Sequence, residues 1–171
     1  MTRSMTRPMM RRVTAFLIAI GVFAVDRWSK WLVDNRFGAF DTWAVIPGFF
    51  NIVHSQNPGV AFGIGAENTS HTRALLLVAM SVVAIFILAA MLWKIDRQDN
   101  LTATGLALIF GGAVGNVWDR VRAGSVTDFL DFYAGSYHWY TFNLADSAIC
   151  VGAGLLILSM LMSNRKKEAN A

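Results

Sequence analysis

The sequence predicts a mainly α membrane protein, with four transmembrane helices and a small antiparallel β platform on the outer, periplasmic face. Three observations carry that expectation. Charged residues make up 15% of the chain and mean hydropathy is +0.45, whereas a soluble domain carries about 25% charged residues. Four apolar segments, residues 13–33, 74–93, 101–118 and 142–162, each approach the roughly 20 residues that a spanning helix needs. Segments 34–73 and 119–141, which lie between spans, carry aromatic and β-branched runs bounded by turn residues. The 171 residues read as one integral-membrane domain with no internal repeat.

The first span follows a basic N-terminus. Residues 13–25 alone have the length of a signal-peptide apolar core, but Trp31, Leu32 and Val33 return after Asp26, Arg27 and Lys30. They extend the segment to roughly 30 Å as a helix, enough to cross a bilayer. Three further spans downstream also favour a retained first helix. The second span has no charged residue at all. Four spans put both termini on one side, and charge says which. Arg3, Arg7, Arg11, Arg12, Lys94, Arg97, Arg165, Lys166 and Lys167, nine of the fifteen basic residues, lie in the tails and the 94–100 loop. Those parts are therefore expected to be cytoplasmic. Trp28, Trp31, Trp118, Trp139 and Tyr140 then fall near the outer interface and Trp93 near the inner one.

The outer segment 34–73 is too long for a simple turn. Residues 49–54 follow the turn pair Pro47-Gly48 and read as a strand, and Asn57-Pro58-Gly59 forms a second turn before Val60-Ala61-Phe62. Beyond the third span, residues 122–141 begin with a strand-like run and end in an aromatic loop. No soluble face combines basic and aromatic residues as a nucleic-acid binder would. His54, His71 and His138 are scattered and without a paired cysteine, which argues against zinc, and the lone Cys150 is expected to pack inside an apolar run.

The chemistry gathers between Gly111 and Asp131. Asn116, Asp119, Arg120 and Asp128 are costly to hold beside lipid, so they mark a functional site. If the third helix continues to Arg120, then Gly112, Asn116 and Arg120 share a face, and Gly111 with Gly115 permits close helix packing. Asn116 and Arg120 either satisfy each other or donate to a substrate carbonyl. If residues 126–133 are extended, Asp128 shares a face with Val126, Leu130 and Phe132, while Asp131 shares the other with Thr127, Phe129 and Tyr133. The first face is the more apolar, so desolvation should raise the pKa of Asp128. At the outer end of the fourth helix, Asn143 and Asp146 are three apart, an arrangement equally suited to a helix cap. With Asp128 nearby, a paired-carboxylate site is the better account. Two aspartates sharing a proton can activate water and protonate a leaving amine, as in aspartic proteases. Ser147, or Ser29 with Lys30, is a weaker nucleophile reading. Asp26 and Lys30, four apart, read as an ion pair that neutralises two costly charges.

Taken together, these blocks resemble the bacterial lipoprotein signal peptidases, signal peptidase II, over about residues 13–162. Asp26-Arg27-Trp28-Ser29-Lys30 is similar to the family's first block, which more commonly has glutamine at the second position. Asn57-Pro58-Gly59-Val60-Ala61-Phe62 is similar to its outer-loop block, where alanine often replaces Val60. Gly115-Asn116-Val117-Trp118-Asp119-Arg120, Val126-Thr127-Asp128-Phe129 and Phe142-Asn143-Leu144-Ala145-Asp146 match the remaining blocks in order. Arg27, Val60 and Thr127 depart from the pattern and bear on local substrate contacts.

The resemblance implies an aspartic endopeptidase of the bacterial inner membrane that needs no metal or other cofactor. It implies that Asp128 and Asp146 are the catalytic pair, and that Asn57, Gly59, Asn116, Arg120, Asn143, Asp26, Lys30 and Asp119 bind substrate or support the pair. The expected partners are diacylglyceryl-modified prolipoproteins, cut just before the lipidated cysteine, and membrane lipid, with the protein a monomer. Gly59, Gly63 and Gly65 would permit movement of the outer loop. A small transporter or a chaperone-like binding protein is the rival class. Against it, Asp26, Asp119, Asp128 and Asp146 gather at one interface instead of tracing a path through the membrane.

Overall fold

The structure is a computed structural model and describes residues 3–39, 41–59, 70–94 and 100–168. Within them the chain forms helices α1 (Arg3–Arg36), α2 (Ser70–Trp93), α3 (Asn100–Ala123) and α4 (Leu144–Glu168), and strands β1 (Thr42–Ile46), β2 (Phe50–Asn57), β3 (Val126–Ala134) and β4 (Tyr137–His138). The architecture is mainly helical with one small antiparallel sheet. Helices α3 and α4 are long and apolar enough to cross a membrane, and residues Val78–Trp93 of α2 form a shorter apolar stretch. Expected elements Val60-Ala61-Phe62, the glycines Gly63 and Gly65, and most of the 94–100 loop lie outside the described residues.

Helix α1 is longer than expected. Its 34 residues reach about 51 Å at 1.5 Å per residue, so it begins well before Val13. Helix α3 runs on to Ala123, past the expected end at Trp118, because Asp119, Arg120 and Arg122 find partners or solvent at the helix end. That extension keeps Gly112, Asn116 and Arg120 on one helical face, as read from the spacing.

Helix α3 is the central post, packed against α1, α2 and α4. Small residues let the helices close. Ala15, Ala19 and Ala107 form one buried cluster with Ile18, Leu92 and Phe110 around it, and Ala103 with Leu106 forms another against Leu88 and Leu156. A Cβ added at Gly112 would lie 2.5 Å from the backbone oxygen of Ala145, so the α3–α4 approach requires glycine there. Large apolar side chains such as Leu76, Phe86 and Met160 instead face outward, as in a helix whose partner is lipid. Cys150 is likewise exposed. The expectation that it packs inside fails because its face of α4 points away from the other helices.

The sheet order is β1-β2-β3-β4. Strand β1, which the turn pair Pro47-Gly48 only bounds, extends the expected hairpin by an outer edge strand. Between β2 and β3 the pairing changes register. Ile52 pairs with Leu130, but Ser55 pairs with Asp128, so Val53 and His54 together oppose Phe129. This two-against-one arrangement is a β-bulge. Beyond β3 the chain returns so that Phe142 pairs with Leu130, with hydrogen bonds of 2.8 and 3.1 Å in the two directions. Phe50, Phe132 and Phe142 stack in one tier, with ring centroids 4.6 and 5.8 Å apart, and tie the sheet to the mouth of α4.

Candidate active site

The Leu130–Phe142 pairing sets Asp128, two residues before Leu130 on the same strand face, beside Asn143 at the start of α4. Asn143, fully buried, donates its side-chain amide to Asp128 Oδ1 at 2.7 Å. The same residue caps α4. Its Oδ1 accepts the Asp146 backbone N–H at 3.0 Å, and its own N–H donates to Asp146 Oδ2 at 3.3 Å. This reciprocal exchange is the capping-box pattern with aspartate in the third position. The cap is therefore present, and the residue that forms it also reaches Asp128.

Each aspartate has a second donor. Asn57 Nδ2 donates to Asp128 Oδ2 at 2.9 Å, and its own Oδ1 accepts the N–H of Gly59 at 2.8 Å. Gly59 has φ +82°, a left-handed conformation that glycine adopts without strain, so the turn can fold back onto Asn57. Asn116 Nδ2 donates to Asp146 Oδ1 at 2.7 Å. Burial pushes the Asp128 carboxyl above its ordinary 3.8, and the charge of nearby Asp146 adds to the rise. Hydrogen bonds from Asn57 and Asn143 and the charge of Lys30 oppose it without cancelling it.

Behind this pair lies an ion cluster. Lys30 Nζ, fully buried, donates to Asp26 Oδ2 at 2.8 Å and to Asn116 Oδ1 at 3.0 Å, and lies 2.7 Å from Asp119 Oδ2. The contact with Asp119 is an ion pair without hydrogen-bond alignment at that oxygen. Arg27 pairs with the other oxygen of Asp119. Two carboxylates and two cations thus neutralise one another beside the aspartate pair, as a buried charge cluster requires. Asp26 also accepts the backbone N–H of Ala145 at 3.0 Å, placing a carboxylate on the positive end of α4. Gly115 makes room for it, since a Cβ there would meet Asp26 Oδ2 at 2.5 Å.

Nine of the ten sequence-selected residues form this connected set or its charged backing: Asp128, Asp146, Asn57, Gly59, Asn116, Asn143, Asp26, Lys30 and Asp119. Arg120 stands apart. Its one side-chain hydrogen bond among the described residues goes to the Asn116 backbone oxygen at 3.4 Å, and its Nε is buried without a partner there. Asp131 corrects the alternation argument. It is 5% exposed against 3% for Asp128, so both faces of β3 bury their carboxylate. Asp131 differs in its partners, Asn51 Nδ2 at 2.9 Å and His138 Nδ1 at 2.9 Å, which hold it to the sheet and not to α4. The partnership of Asp26 with Ala145 and of Arg27 with Asp119 went unread because each joins distant segments; the charge of Arg27 beside a spanning helix was its only signal.

Apolar helices, a small sheet beside them and two aspartates linked through one asparagine fit a membrane endopeptidase of the aspartic class. The family described as signal peptidase (SPase) II matches residues 18–162. The chain belongs to that family, the lipoprotein signal peptidases, proteases that remove signal peptides from prolipoproteins. It is similar to the "Lipoprotein signal peptidase" of Solibacter usitatus, 52% identical over 155 residues that cover 91% of this chain and 94% of that protein. The protein of the same description from Geobacter sulfurreducens is 42% identical over 150 residues, 88% of this chain and 92% of the relative. A solved bacterial membrane enzyme superposes with a TM-score of 0.77 at 30% identity, covering 86% of this chain and 92% of the other.

Proposed function

We propose that Asp128 and Asp146 are the catalytic pair and cut the prolipoprotein just before its diacylglyceryl-modified cysteine. The observation that carries this reading is Asn143, whose one side chain and backbone touch both carboxylates. Asp128, raised by burial, holds the shared proton and polarises the scissile carbonyl. Asp146, held by Asn116, takes a proton from water as that water attacks the carbonyl carbon. The tetrahedral intermediate then collapses as Asp146 passes that proton to the leaving amine and Asp128 takes its own back from the intermediate's hydroxyl. Asn57, Asn116 and Asn143 orient the pair. Arg120 has donors left over for a peptide carbonyl, and Gly59 closes the turn over the site.

In this reading all four helices span the inner membrane of a bacterium as one domain, with both termini cytoplasmic. The pair faces the outer interface, where exposed Trp28, Trp31, Trp139 and Tyr140 meet the headgroup layer. The substrate's signal helix lies among the spans while its acyl chains remain in lipid, and the enzyme works as a monomer. The test is cleavage of a lipidated prolipoprotein by purified protein with a chelator present. Wild-type cleavage under chelator, lost in both Asp128→Asn and Asp146→Asn, is expected. Turnover by either variant defeats the pair, and abolition by chelator defeats metal-independent catalysis.

A further inference from the structure

Asn57 reaches Asp128 only because of the bulge in β2. Before it, Asn51 faces the Asp131 side of the sheet, where its amide donates to Asp131 Oδ2 at 2.9 Å. After it, Ser55 and Asn57 face the Asp128 side, and Gln56 takes the other side, donating to Thr127 Oγ1 at 3.0 Å. Asn51 and Asn57 are six residues apart, so in an unbroken strand they would share one face. The extra residue at Val53–His54 reverses that alternation. Without it, Asn57 would point away from Asp128.

The bulge is gripped from one side by the end of α1. A carbonyl oxygen only accepts, so His54 Nδ1 donates to the Phe37 oxygen at 2.9 Å. On the other edge of the ring, Nε2 lies 3.2 Å from Asp34 Oδ1 and 3.2 Å from Gln56 Nε2. On the other edge of β2 the His54 backbone N–H donates to the Asp41 oxygen at 3.2 Å, in step with the Thr42–Val53 pair of β1 and β2. Asp34 reaches onward and accepts from Thr127 Oγ1 at 3.0 Å, next in sequence to Asp128. A first-helix carboxylate, a backbone carbonyl and a loop carbonyl thus converge on one bulged histidine.

We infer that His54 is a positioning residue for peptide-bond cleavage: by holding the bulge against Phe37 and Asp34 it turns Asn57 onto Asp128. The inference rests on Asp128 acting in catalysis. It assigns His54 no contact with substrate. Its effect therefore falls on turnover through Asn57 and leaves substrate capture by the rest of the cleft in place.

The experiment measures kcat and KM separately on the full-length enzyme with a lipidated prolipoprotein, alongside the unfolding midpoint of each variant. His54→Ala is expected to lower kcat roughly tenfold to a hundredfold, the scale of misplaced catalytic groups, with KM within about twofold. His54→Asn carries its amide nitrogen where Nδ1 sits and is expected to restore turnover, whereas His54→Gln, which reaches only the Nε2 position, does not. His54→Ala combined with Asn57→Ala is expected to match Asn57→Ala alone, because the two act as a unit. Unchanged kcat in His54→Ala, a multiplicative loss in the double variant, no loss in Asn57→Ala, or rescue by Gln in place of Asn each overturns the inference. Asp128→Asn run in parallel keeps the two readings separable. Full turnover there removes the aspartate pair, whatever the His54 series shows.

Discussion

Lys30 Nζ donates to Asn116 Oδ1 at 3.0 Å and thereby decides which end of that amide faces Asp146. With its oxygen held by a cation, Asn116 presents its NH2 to Asp146 Oδ1. A charge with no direct contact to the aspartate pair thus sets the hydrogen bonding of one member. Lys30→Met should leave Asp26 and Asp119 buried without that cation, a loss of roughly 3–5 kcal/mol for a broken buried pair. Its unfolding midpoint in detergent checks this. A midpoint equal to wild type would mean that Arg27 alone balances the cluster.

The pH dependence follows from Asp128. Its folded pKa is raised, so the carboxyl stays protonated to higher pH than in the unfolded chain. Its contribution to stability is therefore full below the ordinary 3.8 and is lost as pH rises through the folded value. The proposed mechanism uses the protonated form, so kcat/KM should fall on the alkaline side of that same value. Part of the rise comes from the charge on Asp146. Asp146→Asn should accordingly move the Asp128 titration downward, read from its carboxyl 13C shift, and an unmoved titration would separate the two groups electrostatically.

Asp131 supplies a control for Asp128. Both are buried on β3, but among the described residues the Asp131 carboxylate bonds only to Asn51 and His138 at the sheet. Asp131→Asn should keep turnover and lower stability by about 1–3 kcal/mol, the cost of disturbing buried hydrogen bonds. Loss of turnover with unchanged stability would place Asp131 in the chemistry.

Helix packing offers a sharper contrast. A methyl at Gly112 meets the Ala145 backbone oxygen at 2.5 Å, whereas one at Gly154 meets nothing within 4 Å. Gly112→Ala should force α4 outward at roughly 1–3 kcal/mol and reduce turnover by shifting Asn143 and Asp146. Gly154→Ala should leave turnover unchanged and raise stability by at most about 1 kcal/mol, the ordinary gain of alanine over glycine within a helix. Equal behaviour of the two variants would show that α4 moves freely on α3.

Much of the site was legible because its residues lie in short blocks with local geometry. Asn143 and Asp146 are three apart at a helix start, and Asn116 lies one turn from Arg120. Each helix contains most of an apolar run but extends beyond it; α1 overran its run because a helix propagates through Arg11 and Arg12 at no great cost. Contacts between distant segments were not legible. Nothing near Asp131 announces Asn51, 80 positions away, and the one-residue bulge at Val53–His54 leaves the local composition of β2 unremarkable. Nor does an apolar helix state which of its faces meets protein, which is why Cys150 was misplaced.

The bond from the Ala145 backbone to Asp26 joins residues 119 positions apart, and Asn143 is the residue that brings Asp128 and Asp146 together. During synthesis the first three helices and β3 therefore emerge carrying Asp26, Lys30, Asn116 and Asp128 before the residues of α4 that bond to them. In the proposed mechanism, proteolytic competence arrives with the last helix and only when it docks. On that mechanism a nascent chain stalled before that point is a harmless neighbour to the signal helices around it, and the order of the genetic message itself serves as a safety catch.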